Sequence, residues 1–188
     1  AYTANLAIGL AMEQMFQATS EMIDKRMREV WQASTEVAGI CHVLASHCSG
    51  LKPDQATLAG LIHQIGILPI LTYIEENDLQ INHVILDNLI DIMSPAIGSY
   101  ILKKWDFPKE LQIVPKEHCN FKREVASADY ADLVMVAKLQ SLIESDHPYT
   151  KLDWTQISAF ERLGLDPEVD INEAEDLSAE MEAAMALL

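Results

Sequence analysis

The residues most able to do chemistry lie in AGLIHQIGILPIL, residues 59–71, where His63 and Gln64 interrupt an apolar run. An imidazole at such a position could ligate a metal ion or act as a general base. The alternative is a buried imidazole that hydrogen-bonds a backbone carbonyl, and histidine is often partly buried in this way. Gln64 supplies no anionic carboxylate, which hard and borderline divalent cations prefer. These two residues alone therefore favour the structural role.

A second candidate is CHVLASHC, residues 41–48. Cys41 and Cys48 are seven residues apart and share one face of a helix, whereas His42 and His47 point about 140° apart. Zinc sites on helices use spacings of three or four residues. Core positions therefore explain the two cysteines better than a metal site does.

The remaining histidines give weaker signals. His118 lies far along the chain from His63 but could approach it in space, and His83 and His147 are expected in exposed caps or loops. The sequence contains no Ser-His-Asp order, glycine-rich phosphate loop or Cys-x-x-Cys pair.

Charge and cysteine usage limit the partners and the compartment. The chain carries 29 acidic against 13 basic side chains, a net charge of -16, which repels nucleic acid and anionic membranes and favours a basic protein partner. Its three cysteines lack a framework spacing and no secretory signal is visible, which predicts a cytoplasmic protein. The longest apolar run, near residues 65–74, is shorter than the ~20 residues of a membrane span.

The elements that must position these residues are helices, because a 3.6-residue period dominates and no strand is evident. Ser94-Pro95 is a strong start signal, with a hydroxyl at the N-cap and proline at N1. We predict one all-α domain over residues 1–188, divided into a connecting helix (1–19), a core (20–125), and closing helices with an acidic tail (126–188). The predicted helices are 20–48, 54–64, 70–77, 83–92, one from Ser94-Pro95 that turns Ile97, Ile101 and Trp105 inward, one from Pro108, 126–145, one capped by Asp153 that ends at Leu163-Gly164, and one capped by Ser178.

Six segments follow one another in a characteristic order: VWQAS (30–34), LAGLIHQIGILPI (58–70), SPAIGSYILKKWDFP (94–108), EHC (117–119), ADLVMVAKLQSLIES (131–145) and ERLGLDPE (161–168). In this order they resemble the HDOD family (HD-related output domain), a degenerate branch of the HD-domain metal-dependent phosphohydrolases. The resemblance covers most of residues 5–170 and implies a multi-helical HD-like bundle.

The departures from the catalytic pattern imply that the metal site is lost. In HD enzymes a first histidine, a His-Asp doublet and a later acidic residue hold the metal that activates water. The first histidine falls on Ala33, the doublet aspartate on Gln64, and an occasional third histidine on Ser94. His63 and His118 remain at ligand-like positions, and the nearest candidates for the last acid are Asp129 and Asp132. The resemblance thus implies no metal, no cofactor and no catalytic residue.

A further departure concerns the start of the chain. NLAIGLAMEQMF resembles the family's middle helix, so the N-terminal helical section of the family is expected to be missing. The missing section would cover apolar side chains of this helix, and their exposure makes a homo-oligomer interface plausible. They are Leu6, Ile8, Leu10, Met12, Met15 and Phe16.

Three functional hypotheses follow. The leading one is a non-catalytic module of a bacterial cytoplasm that acts in signal transduction through a protein partner. The alternative is a divergent metal-dependent phosphohydrolase, acting on a nucleotide or cyclic dinucleotide through His63, His118 and Asp132. The third is a dimerisation scaffold that binds no small ligand.

Overall fold

The structure is a computed structural model that describes residues 7, 10, 11, 13–16, 18–48, 50–143 and 145–168. These residues form helices and connecting turns without a strand, which confirms the predicted all-α class. In chain order the helices are α1 (Glu21–His47), α2 (Pro53–Ile62), α3 (Ile67–Glu76), α4 (His83–Lys104), α5 (Lys109–Gln112), α6 (Val114–Glu117), α7 (Tyr130–Gln140), the 3₁₀ turns Pro148–Lys151 and Trp154–Gln156, and α8 (Ser158–Leu163).

Helix α1 is the amphipathic helix that the sequence predicts, and it packs along α2 and α7. Its apolar stripe from Ile23 to Ala45 is buried, except that Trp31 is only partly covered and packs against Phe16 in a tilted arrangement, with ring centroids 5.4 Å apart. A Cβ at Gly60 of α2 would lie 2.4 Å from the Ala38 Cα. The two helices therefore touch backbone to backbone at this point, and the glycine makes that approach possible.

The chain breaks its helix directly after the first candidate residue. Helix α2 ends at Ile62, so His63 and Gln64 lie in a turn that leads into α3. Within the turn, the Ile67 amide donates to the Gln64 carbonyl at 2.9 Å. Gly66 follows, and a Cβ there would lie 2.0 Å from the Ser94 carbonyl oxygen and 2.6 Å from the Gly98 nitrogen. This turn is thus pressed against the backbone of α4.

The predicted helix start at Ser94-Pro95 is wrong, because α4 runs from His83 through Pro95 to Lys104 without a break. The true N-cap is Asn82, predicted for the shorter helix, whose side chain accepts from the Ile85 amide at 2.9 Å. A proline inside a helix removes one hydrogen bond. Here the close approach of Gly66 to residues 94–98 belongs to the packing that keeps this segment helical, so tertiary contact overrides the local signal.

Three further sequence expectations need correction. Trp105 is not turned inward but is 49% exposed, whereas Ile97 and Ile101 do pack against the core. The helix predicted over 126–145 is the shorter α7. Asp153 caps a 3₁₀ turn by accepting from the Thr155 amide, and α8 begins only after it, ending as predicted at Leu163 with Gly164 in the left-handed region.

Of the side chains expected at an oligomer interface, Leu10 and Met15 are exposed but Phe16 is buried under Trp31. Leu6, Ile8, Met12 and the predicted Ser178 cap lie outside the described residues.

Two helical stretches, Pro53–Glu76 and His83–Lys104, are long and apolar enough to cross a membrane by length and composition. Of the apolar window in each, 72% is buried in the first and 17% in the second. Such helices are weak evidence for a span, since the core helices of globular proteins have the same composition.

Candidate functional site

Helix α7 is the element around which the candidate site is built. Each of its residues is buried except Lys138, in its last turn. Its N-cap is Asp129, whose carboxylate accepts from the amides of Ala131 and Asp132. The helix therefore carries an acidic group at one end and a lone basic group near the other.

The structure brings His63 and His118 together, as the spacing of the family pattern implies. Their ring centroids lie 5.0 Å apart in an edge-to-face arrangement. His63 Nδ1 lies 2.5 Å from the Gly60 carbonyl, and His118 Nδ1 lies 3.0 Å from the Val114 carbonyl. Because a carbonyl only accepts, each Nδ1 carries the hydrogen, and each neutral ring keeps an unprotonated Nε2.

The environment keeps both rings neutral. Burial lowers the pKa of His63 well below its ordinary value, and His118 and Lys138 nearby lower it further. Burial likewise lowers the pKa of His118 to about 3, with Lys138 as the second cause. At neutral pH the two imidazoles are thus acceptors at Nε2.

Lys138 supplies the positive charge beside this pair. Its Nζ lies 3.5 Å from His118 Nε2 and 3.6 Å from Cys119 Sγ, and it sits 6.0 Å from the centre of the Tyr149 ring. Among the described residues, no carboxylate lies within 4 Å of this ammonium group.

A cavity of about 290 Å³ opens beside these groups, and we call it the remnant cavity. It includes Ala33 and Gln64, so the structure gathers two of the altered pattern positions around His63. Ser94 does not line it; its carbonyl instead faces Gly66. The lining residues are Arg26, Glu29, Val30, Ala33, Val37, His63, Gln64, Ile67, Ile90, Asp91, Lys138, Ser141, Leu142 and His147.

A divalent metal ion does not fit the groups present. Stable sites combine at least three ligands, usually with a carboxylate or thiolate among them. No group of three or more histidine, cysteine, aspartate or glutamate side chains within the described ranges is arranged to hold a metal. Lys138, at 3.5 Å from His118 Nε2, would also repel a second cation.

The acidic candidates Asp129 and Asp132 serve another purpose. Asp132 is fully buried and receives hydrogen bonds from Arg123 at 2.7 Å and from Arg162 at 2.7 and 2.9 Å. Arg123 also binds both carboxylate oxygens of Asp129 at 2.7 Å. We call these four residues the arginine–aspartate network, and it ties the start of α7 to α8.

Three basic side chains of the remnant cavity were not singled out as site residues from the sequence: Arg26, Lys138 and His147. Lys138 was detectable as the one basic residue within the apolar run ADLVMVAKLQ. His147, expected in a loop or cap, caps a 3₁₀ turn by accepting from the Tyr149 amide, and it lines the cavity as well. Arg26 lay in a mixed-charge segment and gave no separate signal.

The segment CHVLASHC holds its side chains in packing and hydrogen bonds. Cys41 is a buried free thiol, and the Cys48 thiol donates to the Leu163 carbonyl at 3.5 Å. His42 Nδ1 lies 2.9 Å from the Thr57 hydroxyl. These contacts agree with the core role that the spacing favoured.

A family model for the HDOD domain matches residues 1–121, well over half of the chain. The chain belongs to the HDOD family. The match includes the segments around Ala33, His63, Ser94 and His118, on which the resemblance rests. No curated protein matches significantly.

Two solved structures from Shewanella amazonensis SB2B are similar to this HDOD protein. One, described as a candidate metal-dependent phosphohydrolase, superposes with a TM-score of 0.80 at 27% identity, over 97% of this chain and 67% of its own. The other, described as a candidate phosphohydrolase, gives a TM-score of 0.54 at 22% identity, over 85% of this chain and 64% of its own. The second shows the fold alone, and this chain spans about two thirds of either neighbour.

Proposed function

We propose that this HDOD protein is a non-catalytic module of a bacterial cytoplasm that acts in signal transduction by binding a protein partner. The observation that carries the proposal is the contact between Lys138 Nζ and His118 Nε2 beside Ala33 and Gln64. The HD scaffold is retained, but a cation stands next to a histidine that an active enzyme would use for metal.

The surface supports a role in binding a protein. Helix α4 exposes much of its length, and several large apolar side chains lie along it or just beyond its end. Exposed apolar patches of this kind are typical of interaction sites. The exposed side chains are Val84, Ile85, Ile92, Met93, Tyr100 and Trp105. The net charge of -16 favours a basic partner over nucleic acid.

Metal content and turnover test the absence of catalysis. We expect the purified protein, incubated with manganese or zinc and then desalted, to retain no stoichiometric metal and to hydrolyse neither nucleotides nor cyclic dinucleotides. A triple variant, Ala33→His with Gln64→Asp and Lys138→Ala, restores the missing ligand types and removes the cation. It should retain more metal than the wild type, whereas a wild-type protein holding one metal per chain would overturn the proposal.

The phosphohydrolase alternative keeps one observation in its favour. Both histidines hold the tautomer that leaves Nε2 open for ligation, and a structural neighbour is described as a candidate metal-dependent phosphohydrolase. Manganese-dependent turnover that disappears in His63→Ala, while the variant keeps its thermal unfolding transition, would establish it.

A pure dimerisation scaffold is separated by sedimentation. Ile92 is 78% exposed in the middle of α4, so Ile92→Glu should abolish a dimer that uses this face. A concentration-independent monomer would exclude the scaffold role. A dimer of the wild type that Ile92→Glu dissociates would instead favour it over a separate protein partner.

A further inference from the structure

The remnant cavity holds polar groups whose bonding is incomplete, and this is unusual for buried atoms. Side-chain nitrogens and oxygens without contact to water are nearly always hydrogen-bonded. Here His63 Nε2 and Arg26 Nε are both buried, and neither has a hydrogen-bond partner. Both residues line the cavity. Two unsatisfied atoms at one cavity point to a ligand that completes them.

The two atoms need hydrogen-bond partners of opposite kinds. His63 is 2% exposed, and its Nδ1 side faces Gly60 on the preceding helix, so Nε2 is the ring atom left for the cavity. An unprotonated Nε2 accepts a hydrogen bond, whereas an Arg Nε–H donates one. The ligand must therefore offer a donor to His63 and an acceptor to Arg26.

The charge of the cavity points to an anion. The guanidinium of Arg26 is already offset by Asp87, which it binds, and by Glu29 at 3.7 Å. Lys138 has no such partner among the described residues, and its contacts are the neutral His118 ring and the Cys119 sulfur. His147 adds a donor at Nε2, since its Nδ1 accepts from the Tyr149 amide. Glu29 and Asp91 at the exposed side of the cavity oppose the anion and limit its charge.

We infer that the remnant cavity binds a small oxyanion that carries its own proton, namely hydrogen phosphate or the monoanion of a small phosphomonoester. Lys138, Arg26 and His147 bind its oxygens, and its P–O–H donates to His63 Nε2. Lys138 thus supplies by itself the positive charge for which a metal would otherwise be needed. The volume of about 290 Å³ lies at the lower end of small-molecule sites, which suits a ligand of this size.

The requirement for a proton separates phosphate from sulfate. At neutral pH phosphate retains an O–H, but sulfate has none to donate to a bare imidazole nitrogen. A site made only of positive charge binds both ions alike. A preference for phosphate over sulfate therefore indicates that His63 Nε2 accepts a hydrogen bond from the ligand.

Calorimetric titration of the chelator-treated protein tests the inference. We expect inorganic phosphate to bind one per chain with a Kd in the millimolar range or tighter, and sulfate to bind at least about tenfold more weakly. Methyl phosphate at about pH 6, where a monoester is about half protonated, distinguishes an ester from the free ion as the preferred source. No heat with phosphate or methyl phosphate up to about 10 mM would overturn the proposal, and equal binding of sulfate would overturn the role of His63.

Two lysine variants complete the test. Lys138→Met should weaken phosphate binding about 10- to 100-fold, the range for losing a charged hydrogen bond. Lys109→Met removes an exposed lysine of α5 and should leave binding unchanged. Equal loss in both variants would mean that only the net charge matters, and binding that needs added metal would mean that Lys138 does not replace one. Since neither result concerns a protein partner, the site and the proposed function fail separately.

Discussion

The two ends of α7 solve the problem of buried charge in opposite ways. At the start of the helix, the arginine–aspartate network joins two acids to two arginines, and Asp132 alone accepts three hydrogen bonds. Near the end, Lys138 meets neutral imidazoles, and His63 Nε2 has no partner. The fully hydrogen-bonded Asp132 holds structure together, and Arg123 Nε, which has no hydrogen-bond partner, still lies 3.6 Å from the Glu117 carboxylate. His63, by contrast, lines a cavity, so its incomplete Nε2 is available to a ligand. Asp132, the acid that the sequence offers for catalysis, thus belongs to the structural network, whereas His63 faces the cavity.

The largest expected effect is at the network. Asp132→Ala leaves Arg123 and Arg162 without their shared carboxylate, and breaking a buried ion pair costs about 3–5 kcal/mol. Urea denaturation should show this loss in the free energy of unfolding. Asp146→Ala, at an exposed site, should change it by less than about 0.5 kcal/mol. A small effect of Asp132→Ala would remove the contrast between the two ends of the helix.

Acid should act mainly at the cavity end. The pKa of His118 is lowered to about 3 in the folded protein and that of His63 well below its ordinary value, against about 6.5 when unfolded. Below pH 6.5 the unfolded chain takes up protons that the folded chain refuses, so stability present above that pH is lost as the pH falls. The limiting slope is about 1.4 kcal/mol per pH unit for each histidine.

Denaturation between about pH 7 and pH 5 measures this slope, above the range in which most carboxylates titrate. His118→Gln should reduce it by about one histidine's share. An unchanged slope in His118→Gln would show that this ring is protonated as easily as a solvated one.

Backbone contact, rather than charge, holds the turn beside the cavity. Gly66→Ala places a Cβ 2.0 Å from the Ser94 carbonyl oxygen, and relieving such overpacking costs about 1–3 kcal/mol. Gly50→Ala has open space but a positive φ of 89°, so it reports only backbone strain. Thermal unfolding of the two variants separates the causes. An equal loss of stability in the two variants would mean that the backbone of α4 shifts to accommodate the new side chain.

The smallest expected change in stability comes from Lys138→Met. A half-buried cation without a carboxylate partner contributes little, so unfolding should shift by no more than about 1 kcal/mol in either direction. The His118 pKa should rise in this variant yet stay below 6.5, because burial is its first cause and Lys138 its second. NMR titration of the imidazole measures this. A destabilisation as large as that of Asp132→Ala would make Lys138 a structural residue.

The sequence predicted best where one helix face alone decides burial. The stripe of α1 follows from its 3.6-residue period, and His63 and His118 were paired by the order of motifs in the family. Helix α7 is buried all round, so its period gives no direction in which Lys138 should point. The Ser94-Pro95 start failed for a related reason: Gly66 packs against that segment from a distant part of the chain. Long-range packing is what local patterns do not contain.

The carbonyls of Gly60 and Val114 have a consequence for how this site can change over time. They fix the Nδ1 hydrogen of each histidine, and a side-chain substitution leaves a backbone oxygen where it is. The lone pairs that suit a metal are therefore inherited with the helices, independently of Ala33, Gln64 or Lys138. Substitutions can replace Lys138 or the acidic residues while both Nε2 acceptors stay in place. The fold therefore retains two potential metal ligands even in a chain whose other ligand positions have changed.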